Sequence, residues 1–117
     1  MSTISITSNS GFHMKFDNGF TISVQFGYGN YCGNKFDDRL RGGKGTNVSG
    51  MSTALVTSTD AEIMIWRNEE ERCYVPKNHP DAVIGWVSGD KVGQIIGMLS
   101  TAKSSRSVKI MLTKILK

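Results

Sequence analysis

The sequence predicts an α+β fold: an antiparallel β-sheet of about five to seven strands, with one or two C-terminal helices packed on one face. Three observations predict it. Apolar and polar residues alternate on both sides of an Asn-Gly pair in the first quarter of the chain. Short β-branched and aromatic runs recur through the middle. Over the last thirty residues the apolar period changes to that of a helix. The chain has 117 residues, no internal repeat and no linker-like stretch, so 1–117 reads as a single domain with one core.

Residues 3–7, TISIT, open the chain as a short strand. Phe12-His13-Met14-Lys15-Phe16 alternates, Asp17-Asn18-Gly19 turns, and Phe20-Thr21-Ile22-Ser23-Val24-Gln25-Phe26 alternates again. Asn-Gly between two such runs predicts a hairpin, because a tight turn wants positive φ at those residues. Phe20, Ile22, Val24 and Phe26 share the core face. Thr21, Ser23 and Gln25 are expected on a wet face, and His13 is expected on the solvent side of its own strand. Residues 27–50 form a long loop. Strands are expected again at 52–57 and 61–67, and a polar turn at 68–71 leads into 72–76 as a second hairpin arm. Residues 82–87 read as a short strand or an approach to a helix. Ser88 is a fitting N-cap, with Asp90 in the first turn. Behind it Val92, Ile95, Ile96 and Leu99 fall on one helix face. Gly93 and Gly97 are expected to let this helix approach the sheet closely. The tail carries Val108, Met111, Leu112, Ile115 and Leu116 at helical spacing, although Val108, Ile110 and Leu112 also alternate as a strand would. The helical count is better. A terminal amphipathic helix of this kind is expected to serve as an assembly surface.

Composition excludes several classes. Apolar residues make up 38% and charged residues 21%, too mixed for a disordered chain. The net charge of +4 favours anionic partners. The first residues lack the basic and apolar regions of a signal peptide, and no apolar run reaches membrane-spanning length. Two cysteines, Cys32 and Cys73, do not make a disulfide framework. A cytoplasmic protein without a membrane anchor is the expectation.

The stretch FGYGNYCGNK places Gly27, Gly29 and Gly33 directly after a strand. A dinucleotide fingerprint would need a helix next, and NKFDDRLRGGKG has no helical periodicity. Gly42-Gly43-Lys44-Gly45-Thr46 fails as a P-loop, since Gly45 separates the lysine from the hydroxyl. His13, Cys32, Cys73 and His79 show no metal-ligand spacing, so no metal and no cofactor is expected. Asp37-Asp38 stand beside Arg39 and Arg41 as ion-pair partners. What remains is the loop's composition. Tyr28, Tyr31 and Phe36 could stack on bases, while Lys35, Arg39, Arg41 and Lys44 could meet phosphates. Asn30 and Asn34 could reach base edges, and glycine amides could cradle a phosphate. The candidate ligand-binding residues are Tyr28, Asn30, Tyr31, Asn34, Arg39, Arg41 and Lys44. The plain alternative is a surface loop whose aromatics tuck into the core and whose charges are solvated.

FHMKFDNGFTISVQFGYGNYCGNK, a strand pair ending in Trp66, and VIGWVSGDKVGQII together resemble small bacteriophage proteins. The layout of strands followed by two helices is similar to the anti-Thoeris sponge proteins. That resemblance implies an oligomer that sequesters a cyclic ADP-ribose-type signal without hydrolysing it, inside a host cell. No functional residue carries over. The resulting expectation is a non-enzymatic, homo-oligomeric protein that binds a small phosphorylated nucleotide. A protein-binding inhibitor of a host defence complex and a single-stranded nucleic-acid binder are the alternatives.

Overall fold

The computed structural model describes residues 1–7, 10–37 and 56–117. The elements run β1 (Thr3–Thr7), β2 (Gly11–Lys15), β3 (Phe20–Gln25), β4 (Asp60–Arg67), β5 (Ile84–Ser88), α1 (Gly89–Thr101) and α2 (Ser105–Ile115). The strands pair in chain order as one antiparallel five-stranded sheet. The α+β architecture expected from the sequence is therefore present. No helix among the described residues is long and apolar enough to cross a membrane.

The first hairpin follows the alternation. Phe12 lies opposite Val24, and Met14 opposite Ile22. The turn differs in detail from a two-residue Asn-Gly turn. Only Gly19 has positive φ, at +91°. Gly19 N–H donates to Phe16 O and Phe16 N–H donates to Phe20 O. The result is a three-residue loop, with glycine in the left-handed position that such loops require.

Phe20, Ile22, Ile63, Ile65, Ile95, Leu99, Val108 and Leu112 are fully buried, so the core lies between β3–β4 and the two helices. α1 rests on β3, β4 and β5, and α2 packs against α1. Neither helix comes into close backbone contact with β1 or β2; Phe12 and Met14 of β2 pack at the rim of the core, whereas Ile4 and Ile6 of β1 are exposed. β5 runs straight into α1, with Ser88 as the N-cap accepting from Lys91 N–H.

Several expectations are corrected here. Thr21 and Ser23, expected to be wet, are each only 7% exposed. Their cross-strand partners are Trp66 and His13, and those two rings meet edge-to-face above β3, 5.4 Å apart. The rings roof the small hydroxyl residues between them. The 72–76 segment forms no strand. Only Tyr74 N–H bonds to Ile65 O there, and β4 takes β5 as its second neighbour. Tyr74 drives this outcome: its ring is buried against Phe20, and its hydroxyl bonds to Glu70 and Ser105. Gly93 and Gly97 face open space rather than the sheet. Met111 is exposed, whereas Val108 and Leu112 are buried within the molecule. Of the strand expected at 52–57, residues 52–55 lie outside the described residues, and Val56 and Thr57 lie in no strand.

Candidate functional site

The glycine loop after β3 is held from within. Asn30 Oδ1 accepts from Gly27 N–H at 3.0 Å, and Gly29 takes φ +83°. Asn34 Nδ2 donates to Phe26 O at 2.6 Å and to Thr57 O at 3.0 Å. The amides that a phosphate would need already have anions. Tyr31 N–H donates to Glu62 at 3.1 Å, and Gly33 N–H donates to Asp60 at 2.7 Å. The loop is an anion cradle whose anions are the carboxylates of β4. Cys32 sits beneath it, 2% exposed, its thiol directed at Gly27 O. Burial, with Asp60 and Glu62 nearby, pushes this thiol above the ordinary range, so it is a packing residue and a poor nucleophile.

With its base fixed, the loop presents its aromatics outward and against β5. Between Ala61 and Ile63 the β4–β5 register shifts, so that two steps of β4 oppose three of β5. The extra length is at Gly85-Trp86, a β-bulge. Trp86 carries it with φ +50°, a conformation usually left to glycine. Trp86 N–H then donates to Tyr31 O at 2.8 Å, and the two rings stack 5.6 Å apart and 10° from parallel. Gly85 permits the approach, since a Cβ there would lie 2.9 Å from Tyr31 Cβ. The Lys35 ammonium lies 4.5 Å from the Tyr31 ring centre, 5.1 Å from Phe36 and 5.9 Å from Trp86. These contacts form an exposed aromatic platform centred on one cation. Phe36 is 82% and Trp86 55% exposed, an uncommon use of large rings unless something covers them.

Trp86 also lines a cleft of about 450 Å³ between the 76–80 turn, β5 and the start of α1. Lys77, His79 and Lys91 line it, and no carboxylate does among the described residues. His79 Nε2 donates to Val83 O at 2.7 Å and so braces the wall. Lys77 is anchored through its backbone N–H to Thr113 of α2, and Lys91 stands in the first turn of α1. The cleft is the size of a small-ligand site, with one aromatic wall and cationic corners.

Of the residues expected in the site, Tyr31 is in the platform, and Tyr28 is exposed on the same loop. Asn30 and Asn34 use their side-chain amides to close the loop. Arg39, Arg41 and Lys44 lie outside the described residues. Sequence reasoning points to Lys77 only as part of a second-choice site with Arg67 and Arg72, and it does not single out Trp86 or Lys91 as site residues. Only Gly85-Trp86 within a strand-like run marked the place, since glycine inside a strand signals a bulge or a close approach. Among the described residues no cluster of three or more His, Cys, Asp or Glu could hold a metal ion. Comparison with protein-family models, curated proteins and solved structures finds no match.

Proposed function

We propose that the chain is a non-enzymatic binding protein that takes a small phosphorylated nucleotide in the cleft beside Trp86. The observation that carries this reading is a cleft lined by exposed Trp86 together with Lys77 and Lys91 and by no described carboxylate. A base would stack on Trp86, which Tyr31 backs from behind. Phosphate oxygens would meet the two ammonium groups at the mouth of α1, where the helix N-terminus adds its own partial positive charge. Strain at Trp86 supports the same reading, because unfavourable backbone conformations persist where function requires a fixed side chain. Sequestration of a nucleotide signal, the activity implied by the anti-Thoeris resemblance, asks for this kind of site: tight holding without turnover.

The test is a thermal-shift and calorimetric screen against cyclic and linear nucleotides. Trp86→Gly removes the ring and relieves the backbone, so the variant should fold and bind about 5- to 150-fold more weakly, the range of one lost stacking contact. Lys77→Ala with Lys91→Ala should cost at least about tenfold for a phosphorylated nucleotide and little for its nucleoside. Unchanged affinity in both variants would move the site elsewhere. A steep fall of affinity with salt, together with preference for an oligonucleotide, would instead favour single-strand binding, for which Phe36 and Tyr31 extend the row of rings.

A further inference from the structure

The two edges of the sheet are treated differently. The β5 edge is covered: the 27–37 loop lies along it, and Trp86 N–H is taken by Tyr31 O. The β1 edge is bare, since among the described residues nothing hydrogen-bonds to its outer side. Sheet edges are ordinarily guarded by a lysine, a proline, an inward charge or a bulge. β1 has none of these. It is Thr3-Ile4-Ser5-Ile6-Thr7, uncharged and in unbroken register with β2.

The strand also reads the same in both directions about Ser5. Antiparallel pairing with a second β1 would set Ser5 against Ser5, Ile4 against Ile6, and Thr3 against Thr7. No charge meets a charge, the isoleucines meet each other, and Thr3 meets Thr7 in a hydrogen-bonding pair. A two-fold axis demands this self-complementarity, because one patch must match its own copy. Ile4 and Ile6 are 71% and 83% exposed. They project on the helix side, as their partners Met14 and Phe12 show, yet neither helix covers them. From these observations we infer that β1 is a homodimer interface, at which two copies of this chain join their sheets edge to edge about Ser5.

The area agrees with a weak, concentration-dependent dimer. Each isoleucine brings roughly 100 Å² of apolar surface, so four of them and the added ladder stay below the ~1,200 Å² of a standard interface. This interface is independent of the cleft beside Trp86, which lies at the opposite edge of the sheet.

Sedimentation of the full chain over a concentration series tests the inference. The wild type should pass from monomer to dimer, whereas a monomer persisting to ~1 mM overturns it. Ser5→Lys and Ser5→Glu each place like charges face to face on the axis, and each should be monomeric where the wild type is dimeric. Mixed in equal amounts, they should restore a dimer, since opposite charges then meet. Circular dichroism confirms that both fold, which is expected because Ser5 is exposed. Dimers in either single variant, or none in the mixture, overturn the edge-to-edge arrangement. Ser5→Cys in a Cys73→Ser background gives a milder second arm. Opposite residues of an antiparallel pair lie about 4.5–5.5 Å apart at Cα, within disulfide reach. Oxidation with diamide should therefore link two chains, and failure to link them counts against the two-fold at Ser5.

Discussion

Gly19 is the residue on which the first hairpin closes. Its φ of +91° suits glycine, and a Cβ there would run into the side-chain amide of Asn68. Asn68, itself at φ +51°, donates its N–H to Gly19 O, so two turns are locked together. Gly19→Val should therefore cost about 2–4 kcal/mol of unfolding free energy, measured by denaturant titration. A loss below about 0.5 kcal/mol would mean the turn relaxes freely. The neighbouring Asn18 was legible as a turn residue, but its larger task was not. Its Nδ2 donates to Leu99 O and Ala102 O and so satisfies carbonyls at the end of α1. That bond spans 81 residues, and no local pattern reports it. Cys32 offers a test in pH. Burial raises its thiol pKa in the folded chain. The folded state then binds the proton more tightly than the unfolded state, so stability is full below the ordinary thiol value near 8.5 and falls as pH rises beyond it. Relative to Cys32→Ala, the wild type should lose stability as pH rises above about 8.5. Parallel stability curves for the two proteins would show that the thiol is not linked to folding.

The elements with a clean period were readable, and those held by distant partners were not. α1 and α2 start where capping serines stand, with Ser88 and Ser104 accepting from Lys91 and Ser107. Their stripes, Ile95 with Leu99 and Val108 with Leu112, are buried as the spacing requires. The two glycines of α1 were misread, because a gap in side-chain volume looks the same in sequence whether it faces a sheet or water. Both face water. Gly93→Ala and Gly97→Ala should each stabilise the protein by about 0.5–1 kcal/mol, since alanine costs less backbone entropy in a helix. The double variant should melt several degrees higher. A lower melting temperature would reveal a packing role for this face. The 72–76 segment failed as a strand for the opposite reason. Its β-like residues are spent on anchoring Tyr74 beneath α2. The bulge at Gly85-Trp86 likewise exists only because β4, β5 and the 27–37 loop meet there.

At the scale of the whole molecule, the division between sequence and tertiary structure follows the range of the forces involved. Alternation over 12–26, the apolar run 61–67 and the stripes of the two helices depend on burial of one face, which a local period records. They determined the α+β class, the antiparallel hairpin, the start of α1 and the loop in which Tyr31 and Lys35 stand. Tertiary structure alone decided what that loop does. It turned the glycine amides onto Asp60 and Glu62, so a stretch resembling a phosphate cradle became a self-satisfied base. It also brought Trp86 onto Tyr31 and set Lys77 and Lys91 around one cleft, joining residues 31, 77, 86 and 91. It left one sheet edge covered and the other, among the described residues, without a hydrogen-bonded neighbour. Hydrogen bonds and stacked rings between segments far apart in the chain leave no periodic trace, because each depends on where another segment ends rather than on its own neighbours.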